Sequence, residues 1–155
     1  MEVKQGSGIR YAHTNVVAHD WRALADFYID VFDCVQVGPE RDHKGEYAEK
    51  LTNIPGAGIT GAHLRLPGHG DNGPTLEVFQ YNENVDRVLT KINQPGFAHL
   101  AFQVEEVGAK REEIIARGGA DYGEIQTIEI PGAGTLTLNY MTDPEGNIVE
   151  LQHWR

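Results

Sequence analysis

The pattern strand, helix, strand, strand, strand occurs twice along these 155 residues, once over residues 9–82 and again over residues 95–154. In the first copy, Tyr11 to Val17 is a β-type run. Asp20 then stands as an N-cap before Trp21 to Phe32, where Leu24, Phe27, Tyr28, Val31 and Phe32 recur at three- and four-residue spacing and make one apolar helix face. A short strand is expected at Cys34 to Val37. The polar, Gly/Pro-punctuated residues 38–57 read as a long excursion, and strands follow at Ile59 to Leu66 and Thr75 to Tyr81. After a link from Asn82 to Gln94 the plan returns. Phe97 to Val104 reads as a strand and Val107 to Arg117 as a helix stopped by Gly118-Gly119. Strands near Ile125 to Ile130, Thr135 to Met141 and Ile148 to His153 complete the copy. A repeat of this kind predicts one α+β domain built from two tandem βαβββ modules.

Charge and cysteine content narrow the chemistry. Thirteen Lys and Arg against 23 Asp and Glu leave a formal charge of −10, which repels phosphate backbones and anionic lipid. Nucleic acid and membrane are therefore excluded as expected partners, and no apolar run approaches the roughly 18–20 residues that a membrane span needs. The N-terminus lacks the basic-then-apolar order of a signal peptide. The single cysteine, Cys34, has no partner for an internal disulfide and reads as a small buried hydrophobe. These features predict a soluble cytoplasmic domain whose chemistry comes from histidines and carboxylates.

Four such residues fall at equivalent places in the two copies. His13 and His99 lie on the first strands, and Glu77 and Glu150 on the last. Successive strand side chains point to opposite faces. His13 therefore shares a face with Tyr11 and Asn15, Glu77 with Thr75, Phe79 and Tyr81, and His99 with Phe97, Ala101 and Gln103. The opposite faces are largely aliphatic and are expected to pack on the helices, leaving the ligand-bearing faces to line one concave surface. Two imidazoles and two carboxylates suit a divalent ion such as Ni, Co, Zn, Mn or Fe(II), with two adjacent positions open for substrate oxygens. Arg65 and His63, Asn15, and Asn139 with Thr137 are expected on that surface as substrate-binding groups, with Tyr81 and Phe97 as its apolar wall. His19, His43, His69 and His153 read as solvated or loop residues.

The stretches His13-Thr-Asn-Val-Val, Thr75-Leu-Glu-Val-Phe, Gly96-Phe-Ala-His-Leu-Ala-Phe-Gln-Val and Thr142-Asp-Pro-Glu-Gly-Asn-Ile-Val-Glu-Leu resemble the vicinal oxygen chelate superfamily, the glyoxalase, bleomycin-resistance and dioxygenase group. The last stretch is the most specific, and the likeness covers about residues 9–154. It implies a curled mixed sheet around a metal, and commonly a homodimer, with some members building each site from modules of two chains. The order His13, Glu77, His99, Glu150 looks like glyoxalase I, with methylmalonyl-CoA epimerases as close relatives. A metal-dependent lyase or isomerase acting on a small molecule is the reaction implied. A metal ion chelating two adjacent substrate oxygens would acidify the C–H alpha to a carbonyl. Glu150 is the first choice for the base that moves the proton and Glu77 the second. An Fe(II)-dependent dioxygenase and a non-catalytic drug- or metabolite-binding protein stand as alternatives.

Overall fold

Helix α1 (Trp21–Phe32) forms where the apolar spacing puts it. Asp20 Oδ1 accepts a hydrogen bond from the Ala23 amide at 3.1 Å, which satisfies one of the unpaired donors of the first turn. The helix ends at Asp33, which takes the left-handed conformation (φ 54°). The structure, a computed structural model, describes residues 8–155, so the first seven residues of the expected N-terminal lead-in lie outside it.

The remaining elements of module one are β1 (His13–Val17), β2 (Val35–Lys44), α2 (Glu46–Thr52), β3 (Gly58–Arg65) and β4 (Thr75–Tyr81). They make a sheet of order β1-β4-β3-β2, with β1 parallel to β4 and the other pairs antiparallel. Module two consists of β5 (His99–Gln103), α3 (Val107–Ala116), β6 (Ala120–Asp121), β7 (Gln126–Ile130), β8 (Gly134–Thr142) and β9 (Ile148–Trp154). Its sheet runs β5-β9-β8-β6, and β7 also pairs with β8. Two expectations change here. The second strand is longer than Cys34 to Val37, and the supposed excursion 38–57 holds the rest of β2 and all of α2. The strand expected from Phe97 begins only at His99, which leaves Phe97 fully exposed outside it.

One core joins the modules. Ala62, Leu64, Leu76 and Val78 face it from the first sheet, and Met141, Val149 and Leu151 from the second, with Leu24, Tyr28 and Val31 of α1 and Val107 and Ile114 of α3 between them. Burying such side chains stabilises the fold by about 1.5–3 kcal/mol each. The rings of Phe32 and Phe102 stack across the seam with centroids 4.0 Å apart. Lys110 donates to the Val31 carbonyl at 2.8 Å, and Arg117 pairs with Asp30 at 2.6 Å. The Tyr28 hydroxyl donates to Asp143 Oδ2 at 2.8 Å. Asp143 opens the Asp-Pro-Glu-Gly-Asn turn before β9 and also accepts from the Glu145 and Asn147 amides.

This packing decides where the candidate ligands go. Val16, Leu100 and Phe102 pack against the core, so His13 and Asn15, one step away along β1, and His99, one step away on β5, point from the other side of their sheets. The aliphatic faces do lie on the helices. The ligand-bearing faces, however, turn away from the shared core as two separate surfaces, not one. Among the described residues no helix is long and apolar enough to cross a membrane.

Candidate metal centre

Strand register builds the site of module one. On β4, Glu77 stands directly beside Asn15 of β1 and His63 of β3. Asn15 Nδ2 donates to Glu77 Oε1 at 2.9 Å, and His63 Nε2 lies 2.6 Å from Glu77 Oε2. His13 Nε2 is 3.5 Å from Glu77 Oε1, and its ring meets that of His63 edge-on with centroids 5.3 Å apart. The far side of His63 is held as well, with Nδ1 2.8 Å from Thr75 Oγ1. Burial lowers the His63 pKa below its ordinary value of 6.5. Arg41 and His13 add to that effect while Glu77 opposes it, so the neutral imidazole prevails at neutral pH.

The three donor atoms of His13, His63 and Glu77 all lie within 4.8 Å of one another. Bonds of about 2.0–2.2 Å from one ion to nitrogen and oxygen span such a triangle. Two neutral nitrogens and one carboxylate are a fitting donor set for a divalent transition ion. A neutral His63 steadied from behind by Thr75 is the form that a ligand must take.

Module two repeats half of this arrangement. His99 Nε2 lies 2.9 Å from Glu150 Oε2, and Tyr140, directly opposite Glu150 in the β8–β9 register, sets its ring 5.2 Å from that of His99. Burial and the Glu150 charge both push the Tyr140 hydroxyl up from its ordinary pKa. Among the described residues no hydrogen bond or ion pair joins this pair to the cluster of module one.

The other expected site residues divide. His63 belongs to the ligand cluster itself, and Asn15 orients Glu77. Arg65 shares the face of His63 but is paired with Asp71 at 3.1 Å. Asn139 does not reach either ligand face. It is buried on the helix side of β8, where its Nδ2 lies 3.1 Å from Met141 Sδ, and its Oδ1 has no hydrogen-bond partner among the described residues. Thr137, two residues away on the same side, bonds to Thr127 at 2.9 Å. Phe97, fully exposed, walls neither face.

Residues read as loop complete the face of module one. Strand β2 skips register between Val37 and Arg41, which sets Val37 beside His63, Arg41 beside Gly61 and His43 beside Ile59. His43 Nδ1 is 2.8 Å from the Tyr47 hydroxyl on α2, and the Phe79 ring lies 6.0 Å from His43 and 6.5 Å from His63. The alternation Arg41, His43 is a strand signal, but the Gly38-Pro39 punctuation beside it reads as a turn.

Two βαβββ modules sharing a core, each with a His/Glu pair on its outer sheet face, define a class of two-module α+β domains with a candidate metal centre. The family model described as "Glyoxalase/Bleomycin resistance protein/Dioxygenase superfamily" matches residues 10–151, and the chain belongs to that superfamily. Solved structures share the fold. A glyoxalase family protein from Bacillus cereus is similar with a TM-score of 0.80 at 17% identity, covering 99% of both chains. A glyoxalase family protein from Enterococcus faecalis gives 0.58 at 20% identity, covering 94% of this chain and 97% of that one. The fosfomycin resistance protein FosX from Listeria monocytogenes, complexed with Mn(II) and sulfate, gives 0.53 at 16% identity over 97% and 95%. No curated protein matches the chain in sequence.

Proposed function

We propose that the protein is a metal-dependent lyase or isomerase that moves a proton alpha to the carbonyl of a small molecule bound through adjacent oxygens. The observation that carries this reading is the His13, His63, Glu77 cluster, whose donors fit one divalent ion. A divalent ion there supplies a Lewis acid for the chelated oxygens. The chain's own residues do the rest. Asn15 fixes the Glu77 carboxylate by a hydrogen bond, and Thr75 fixes His63 from behind. Glu150, its side chain only 12% exposed beside His99, takes the proton and returns it.

His99 and Glu150 reach the cluster if two copies pair so that β1 of one lies beside β5 of the other. Both are edge strands of their sheets, and an unpaired edge is a template for another chain. Exposed Tyr11 and Phe97 lie just ahead of these two strands. The finished site would then bring the partner's His99 and the partner's Glu150 to the cluster of His13, His63 and Glu77. A cytoplasmic location fits a chain whose single cysteine, Cys34, is free and buried.

Metal content measured by plasma mass spectrometry, with mass by sedimentation, tests this. The expected result is about one ion per chain in a dimer, lost in His13→Ala and reduced in His99→Ala with the dimer intact. No uptake of any divalent ion by folded protein would refute the reading. The dioxygenase alternative also has support, because two His and one carboxylate within one chain are the ligand types of non-haem Fe(II) oxygenases. Oxygen uptake with a catechol by the iron-loaded protein, and no proton exchange, would favour it.

A further inference from the structure

The chain is strongly acidic, yet the ligand-bearing face of module one is poor in carboxylates. His13, His63, His43, Arg41 and Arg65 project from its strands, and Glu77 is the one carboxylate among the described strand residues of that face. Metal ligation accounts for Glu77, His13 and His63, and Asp71 neutralises Arg65. Arg41 stays over. The arginines Arg22, Arg65, Arg111 and Arg117 each pair with a carboxylate, whereas among the described residues Arg41 donates only to the Pro39 carbonyl.

Its placement is built into the strand. The register skip after Val37 turns the Arg41 side chain back over the bulge, with its two terminal nitrogens 3.6 and 3.7 Å from where a Cβ on Gly38 would stand. That puts the guanidinium against the Gly38-Pro39 bulge, which follows Val37, the residue opposite His63. Directly across from Arg41 is Gly61, over which the Phe79 ring lies, so Arg41 shares the cluster's face one pairing position beyond His63. An Arg fork free of acidic partners beside a site is a binding group for a planar anion.

We infer that Arg41 anchors a carboxylate of the substrate, so that the substrate is a small acid with a second anionic group beyond its two chelating oxygens. One fork with a single charge matches a carboxylate better than a doubly charged phosphate. The inference rests on the metal-centred reading above and names the kind of substrate for it.

Calorimetry on the metal-loaded protein with two probes tests it. Malate and lactate both offer an adjacent hydroxyl and carboxylate, and malate alone adds a second carboxylate. The wild type should bind malate about tenfold or more tighter than lactate, a charge-assisted hydrogen-bond pair's worth. Arg41→Met should cut malate affinity by about 10–100-fold and lactate affinity less than about twofold, with metal content unchanged. Arg41→Lys, which keeps the charge without the fork, should recover part of the malate affinity and serves if the Met variant folds poorly. Equal affinity for both probes in the wild type, or equal losses for both in Arg41→Met, would overturn the assignment. If wild-type protein takes up no metal, the metal-centred reading fails by itself. The malate preference of the metal-free protein, present or abolished in Arg41→Met, then decides the role of Arg41.

Discussion

Tyr28→Phe removes one hydroxyl from the seam between the modules and leaves the ring in place, so no cavity opens. The hydroxyl donates to Asp143 at 2.8 Å, and both residues are buried. Burial raises the Tyr28 pKa well above 10.0, so it remains a donor across the usable pH range. Burial also holds Asp143 above its ordinary carboxyl value of 3.8, although the hydrogen bonds from Asn147, Tyr28 and Glu145 pull the other way. The folded state therefore binds this proton more tightly than the unfolded chain. The stability from protonation is complete below 3.8 and is lost as pH rises through the raised value. At pH 7.5 Tyr28 serves an ionised carboxylate, and its loss costs about 1.5–3 kcal/mol, or about 3–12 °C in Tm. Near pH 3, below the ordinary 3.8 and so further below the raised value, the carboxyl is largely protonated, and the cost falls to about 0.5–1.5 kcal/mol. Urea denaturation followed by tryptophan fluorescence at both pH values measures the two losses. A loss below about 0.5 kcal/mol at pH 7.5, or an equal loss at both, would refute the claim that Tyr28 holds a buried charge.

Two further outcomes follow from close packing. A methyl group added in Gly61→Ala would stand 2.0 Å from the Val78 carbonyl oxygen, so β3 and β4 must separate and the facing of His63 and Glu77 with them. The variant should lose about 1–3 kcal/mol in a thermal melt and hold metal more weakly, and a fully stable, metal-retaining variant would contradict this. Cys34 is 2% exposed and its thiol is pushed up to about 12 by burial. Iodoacetamide at pH 8 should leave it unmodified in native protein and alkylate it in urea, because about a thousandfold less thiolate is available in the fold; rapid native labelling would show the core to be open.

Side-chain periodicity makes some of this architecture readable and hides the rest. The cap and apolar stripe of α1 are local, so both ends of that helix can be read from the chain. Residues 38–57 are opaque because a strand continues through Gly38-Pro39 as an irregularity in register, and because α2 has seven residues with no side-chain cap at Gly45. Alternation alone places His13, Glu77 and His63 on one face. That His63 faces Glu77 directly depends on the β3–β4 register, set by a nine-residue connection with no standard hairpin turn to read. Asn139 shows the opposite difficulty. Its parity against Tyr140 is plain, but which parity points outward is settled only by the pairing of Tyr140 with Glu150 and by α3 lying over the other side. The division of the ligands between two surfaces is not local at all. It follows from the Phe32–Phe102 stack and the shared core, which turn the two sheets back to back.

That back-to-back arrangement has a genetic consequence. When two copies pair as proposed, a chain damaged on one module still lends its sound module to its neighbour. Two alleles, one broken at His13 and the other at Glu150, would then complement each other in a cell that carries both, because a mixed pair assembles one site from the two undamaged halves. Neither allele alone could do so. Harm to this protein would therefore be inherited by the module, and not by the chain.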